Sequence, residues 1–152
     1  VMGMDVIGIE PYTEDGKYFR SNVWCWRPLW DFVCNSCSLS DDIQQSGQFN
    51  DGYKIDEDLA VSIGITLKSL IDNGVVKQFA EFRQKELDAM PDVECKHCNG
   101  TGQRNDQYVQ GTCNACHGKG TVRPTDTYYV LYEDVVEEFA EFAKQSGGFQ
   151  IY

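Results

Sequence analysis

An eight-residue pattern, CxxCxGxG, occurs twice in this chain, as CKHCNGTG from Cys95 to Gly102 and as CNACHGKG from Cys113 to Gly120. Two residues between cysteines let both sulfurs reach one ion from a tight turn, and a second such turn completes a tetrahedron. Fourteen residues separate the pairs, enough to bring the second turn back onto the first. The glycines behind each pair permit positive φ, so backbone amides can turn toward the thiolates and steady their charge. Cys95, Cys98, Cys113 and Cys116 are therefore expected to hold one Zn2+ in a closed all-cysteine site. Four thiolates leave no position for water, so such a metal is structural. It closes a segment with too few apolar groups to fold unaided. His97 and His117 each stand beside a cysteine that already serves, and a full cysteine set leaves both idle.

A disulfide or a redox pair is the competing reading of this spacing. The cysteine count is seven, an odd number, and nothing near Val1 resembles a secretion signal. In a reducing compartment the spacing favours metal. A third pair, Cys34-x2-Cys37, is a weaker signal. Buried or free thiols, a second metal site drawing on Cys25 and carboxylates, and redox chemistry all remain open for it. Histidine occurs only at His97 and His117, which removes a histidine-based hydrolytic site from the rest of the chain. An enzyme relying on carboxylates and Cys25 is the least favoured class.

The formal charge is -11, with 24 acidic residues against 13 basic. That balance argues against direct nucleic-acid binding, which rests on basic side chains. It suits solubility, a basic protein partner, or imitation of nucleic acid. The acidic runs at Asp41-Asp42, Asp56-Glu57-Asp58, Glu133-Asp134 and Glu137-Glu138 read first as helix starts. Whether they gather on one face stays open at this level. No apolar run has the length of a membrane span, so a soluble, cytoplasmic protein is expected.

Along the chain, MDVIGIEPY reads as a strand, Asp15-Gly16 as a turn, and RPLWDFVCNSC as a short helix with Pro28 near its first turn. Residues 38–55 read as loop. Asp56 caps a helix carrying Leu59, Ile63, Leu67 and Leu70, and Gly74 stops it. A second helix carries Val76, Phe79, Leu87 and Met90 and ends at Pro91. TYYVLY is strand-like. The helix after it bears an apolar stripe of Val135, Val136, Phe139, Ala140 and Ala143. Gly147-Gly148 ends that helix, and FQIY is a closing strand. The expected fold class is α+β: a small sheet that includes both terminal strands, three or more helices, and an inserted CxxCxGxG module. The core is expected from 2–92 and 123–152, with the module at 93–122.

YFRSNVWCWRPLW, residues 18–30, holds all three tryptophans and two arginines. Trp24 and Trp26 alternate as on one face of a strand, with Trp30 a helical turn beyond. One reading is a core corner with arginines lying over the rings. The other is a recognition pocket in which Trp24, Trp26 and Trp30 stack on a ligand. There Arg20 and Arg27 supply charge, and Asn22 and Asn50 lend polar support. Such a pocket suits a nucleotide or another small anion, and a sequestering protein is the alternative function it implies.

The paired CxxCxGxG motif resembles the cysteine-rich region of J-domain co-chaperones. That region has four repeats and two zincs; two repeats here match one zinc. The His-Pro-Asp triplet of a J-domain is missing, so the resemblance implies a module fold, with co-chaperone-like peptide binding as a further alternative. Across nearly the whole chain, the order YFRSNVWCWRPLW, NDG, paired CxxCxGxG and EFAEFAKQSGGFQIY is similar to a family of small proteins of tailed bacteriophages and prophages. That resemblance implies a phage accessory protein that binds a host protein, with a defence nuclease complex such as a CRISPR effector among the expected partners.

Overall fold

The computed structural model describes residues 3–152. The chain forms two compact units: residues up to Gln84 together with Tyr129–Tyr152, and Lys85–Tyr128. The second contains the whole 93–122 stretch and extends beyond it on both sides.

In the first unit, alternating side chains build a one-sided sheet. Its strands are β1 (Gly3–Gly8), β2 (Tyr18–Asn22), β3 (Tyr53–Ile55) and, from the end of the chain, a strand at Phe149–Ile151. Spatial order runs from β2 through β1 and the closing strand to β3, and every neighbouring pair is antiparallel. The two ends of the chain do pair, with Val6 opposite Ile151 and Gly8 opposite Phe149. Met4, Val6, Phe19, Ile55, Phe149 and Ile151 are buried, whereas Ile7 and Tyr18 lie on the exposed side. That pattern is the period of two expected when one sheet face is covered.

Helices form the cover. α1 is Val23–Ser36, α2 Asp41–Ser46 and α3 Glu57–Asp72. α4 (Val75–Asp88) starts in this unit and ends in the other, and α5 is Glu133–Gln145. The starts of α1, α2 and α3 are capped as the residue types dictate: Asn22 accepts from the Cys25 amide, Ser40 from Ile43 and Asp56 from Leu59. Gly74, at φ 76, ends α3 in the left-handed region. α3 and α5 cross so closely at Gly64 that an added Cβ would lie 2.8 Å from the Lys144 amide nitrogen. Phe19, Trp26, Phe139, Phe142 and Phe149 meet edge-on and tilted in the centre, with Phe19 and Phe139 centroids 5.1 Å apart.

The α+β class and the terminal strand pairing hold, but three local expectations do not. α1 begins at Val23, so Trp24 and Trp26 are helical and Pro28 is its sixth residue. The Asn22 cap, five residues upstream of Arg27-Pro28, sets that start. Residues 38–55 contain α2 and β3 as well as loop. TYYVLY forms no strand. Thr125–Tyr128 is a 3-10 turn, after which the backbone runs unpaired to α5. β-propensity needs a partner edge to be realised, and that segment has none.

The second unit is built from two small ribbons. β4 (Val93–Glu94) pairs with β7 (Thr121–Val122), and β5 (Gln103–Asn105) pairs with β6 (Gln110–Thr112), both antiparallel. The strand at Phe149–Ile151 is thus β8. Arg123 ties the end of α4 into this unit, donating to the Leu87 carbonyl at 2.8 Å and pairing with Asp92 at 3.0 Å. Among the described residues, no single helix is long and apolar enough to cross a membrane.

Candidate metal centre

Each CxxCxGxG repeat folds into the same knuckle, and the reason lies in its residue types. The position after the second cysteine is left-handed in both, Asn99 at φ 52 and His117 at φ 54. Asparagine and histidine tolerate that region better than most side chains. The first glycine continues it, at φ 79 for Gly100 and 84 for Gly118. The second glycine, Gly102 or Gly120, then does two jobs at once. The Gly102 amide donates to Cys98 Sγ at 3.2 Å, and its carbonyl accepts from the Cys113 amide at 2.9 Å. The Gly120 amide donates to Cys116 Sγ at 3.2 Å, and its carbonyl accepts from the Cys95 amide at 2.9 Å. The two repeats are therefore related by a pseudo-two-fold exchange, each holding the other's first cysteine. Neither second glycine admits a side chain: a Cβ on Gly102 would lie 2.5 Å from the Gly118 carbonyl oxygen, and one on Gly120 2.5 Å from that of Gly100.

This exchange brings Cys95, Cys98, Cys113 and Cys116 together. All four are buried, and their sulfurs lie within 4.8 Å of one another. Cys95 Sγ is 3.9 Å from Cys113 Sγ, and Cys98 Sγ is 3.7 Å from Cys116 Sγ. Four thiolates around an ion at about 2.3 Å sit about 3.8 Å apart along the tetrahedron edges. The spacing and the donor set fit a closed metal site. Besides Val122 packed against them, these sulfurs are the core of the module. His97 and His117 are exposed and outside the group.

The amides also bias protonation. Burial opposes charge on Cys98, yet the Gly102 amide and the neighbouring thiols bring its pKa down to about 6. Burial likewise opposes charge on Cys113, where the Cys116 and Ala115 amides prevail and lower it. At Cys95 burial wins, and the thiol is pushed up to about 11. A cation at the centre favours the thiolate at every position.

The other cysteines are arranged differently. Burial pushes Cys34 up to about 12, with the Asp31 charge adding to it. Burial raises Cys37 too, against a hydrogen bond from Thr66. Burial and then the Asp134 charge raise Cys25. Each shift favours the protonated thiol, the weaker nucleophile.

The expected tryptophan pocket does not form. Trp26 and Trp30 are fully buried and stacked, centroids 5.4 Å apart at 11°. Their indole N–H groups donate inward, to the Gly47 and Gln44 carbonyls at 2.9 and 3.0 Å. They belong to the core because the start at Val23 turns both toward the sheet. Asn22 is spent on the helix cap. Arg20 lies on the sheet's exposed side with Asp5 at 3.2 Å. Trp24 packs on Tyr129, centroids 4.7 Å apart, and Arg27 lies over the same ring at 5.8 Å while donating to its hydroxyl. Arg27 and Asn50 alone share a cleft, and Gln48 and Phe49 join them there. Neither had been singled out. The available signal was an aromatic, Phe49, standing alone in a polar segment. No protein-family model matches the chain, and no curated protein or solved structure matches it, so the site is read from its own geometry.

Proposed function

We propose that this is a non-enzymatic binding protein in which one structural Zn2+, held by Cys95, Cys98, Cys113 and Cys116, stabilises the module, and that it acts by occupying a protein of a bacterial host. The observation that carries the reading is the closure of the cysteine group: four buried sulfurs at tetrahedral spacing account for every coordination position of a zinc ion. Such a metal clamps and does no chemistry. Most of the acidic residues lie in the first unit, which favours a basic protein surface over a nucleic-acid backbone as partner. The motif order read in the sequence as resembling phage and prophage proteins is the reason to search among host proteins, defence nuclease complexes first.

Metal content and cobalt substitution test the clamp. One zinc per chain is expected, and Co2+ in its place should give the intense visible bands of a tetrahedral thiolate site. Spectra that respond to added anions would reveal an open coordination position and end the structural assignment. Cys113→Ser should release the metal. Affinity capture from the natural host's lysate, followed by reconstitution of the pair from purified components, tests the second half. Failure of every captured protein to bind in reconstitution would remove the partner reading while leaving the zinc assignment standing.

A further inference from the structure

A cleft of about 400 Å³ opens in the first unit between α1 and the α2–β3 connection. That volume falls in the range of small-molecule sites. Three groups on its wall lack the partners that their chemistry calls for. Phe49 presents its ring to solvent, 61% exposed. Among the described residues Arg27 engages Tyr129 alone, donating to its hydroxyl at 3.2 Å and lying over its ring at 5.8 Å, which leaves most of its five N–H donors for a ligand. The ion pairs of this structure engage Arg20, Arg104 and Arg123 instead. Gln48 Oε1 is buried and has no hydrogen-bond partner among the described residues. Its orientation is settled by the other end of the amide, because Nε2 donates to Asp31 Oδ1 at 3.1 Å and a carboxylate cannot face the amide oxygen there. A buried acceptor left unpaired calls for a donor.

The groups are ordered along the cleft. Arg27 and Asp31 are one helical turn apart on α1. One end is cationic, and the other offers the Gln48 amide beside the Asp31 carboxylate, with the Phe49 ring also lining the cleft. We propose that this cleft binds a nucleotide, phosphate toward Arg27, base against Phe49, and the base's N–H edge toward Gln48 Oε1 and Asp31. Guanine, whose ring N–H and exocyclic amine lie side by side, fits that acceptor pair best; uracil, with carbonyls flanking its one N–H, fits worst. Stacking on a lone aromatic and charge-assisted contacts from a guanidinium supply the remaining recognition. The site is independent of the cysteine module and of the host-protein reading.

The test is an NMR titration of the zinc-loaded full chain with GMP, UMP, guanosine and inorganic phosphate. GMP should produce saturable shifts at Arg27, Phe49 and Asn50, with affinity about tenfold or more above that for UMP and guanosine. Phe49→Ala and Arg27→Gln should each weaken GMP by about tenfold. Phe49 is exposed, so its variant should melt as the parent does without ligand. The proposal is overturned if GMP at roughly millimolar concentration gives no saturable shift in the cleft. Shifts that map elsewhere, or equal affinity for GMP and UMP, overturn it as well.

Discussion

Gly47 touches both buried tryptophans and reports directly on their role. Its carbonyl accepts the Trp26 indole N–H at 2.9 Å, and its φ of -70 is one that any residue adopts. Gly47→Ala therefore adds a methyl group without backbone strain. The new Cβ would lie 2.1 Å from Trp30 Cε2 and 2.3 Å from Cζ2 and Nε1. Carbon contacts relax only near 3.5–4.0 Å, so the ring has to retreat by more than about 1 Å. Trp30 has nowhere to go: it is fully buried, stacked on Trp26, and bonded to the Gln44 carbonyl. Overpacking costs about 1–3 kcal/mol and a broken hydrogen bond about 1 kcal/mol, giving a loss of about 2–4 kcal/mol. Gly74→Ala is the control. There φ is 76 and nothing lies within 4 Å of the added Cβ, so only left-handed strain remains, about 1–2 kcal/mol before the unfolded-state gain. Urea unfolding followed by tryptophan fluorescence reads the first unit selectively, since all three tryptophans lie in α1. The midpoint should fall with the slope unchanged. If Gly47→Ala were silent, or cost less than Gly74→Ala, the tryptophans would not be the packed core argued here.

Gly102→Ala should weaken metal retention against a competing chelator, because the Cβ strikes the Gly118 carbonyl and displaces the amide that donates to Cys98 Sγ; Gly111→Ala, with positive φ but open space, should retain metal better. Asp56→Ala removes the cap accepting from the Leu59 amide at 2.8 Å and should cost about 1 kcal/mol in the same urea assay. Asp106 is held below the usual carboxylate range by the Val109 and Tyr108 amides and then by Arg104. Its folded value lies under its unfolded one, so its support of the β5–β6 turn is complete above the unfolded pKa and lost as pH falls through the folded pKa. Amide exchange at Tyr108 and Val109 should accelerate over that acid interval, and Asp106→Asn should remove the dependence.

Much of this molecule was legible residue by residue. Asp56 and Gly74 bracket α3 because capping and left-handed termination depend on local chemistry alone. The cysteine group was legible because CxxC confines two sulfurs to one turn, and a repeat of it has few ways to satisfy them. The α1 start was harder. WxW alternation mimics a strand, and the Asn22 cap three residues before Cys25 was the quieter and correct signal. TYYVLY misled because its composition suits a strand, whereas pairing depends on a free edge elsewhere.

Taken alone, the amino-acid sequence determines the α+β class, the strand character of both chain ends, and which four sulfurs meet. All of these follow from periodicity and spacing that act over short stretches. Only the tertiary structure decides that Trp26 and Trp30 are core, that Gly102 and Gly120 each secure the opposite knuckle, and that Arg27, Gln48 and Phe49 share a wall. Those facts depend on which segments are folded against one another, and burial and hydrogen-bond satisfaction are properties of that packing.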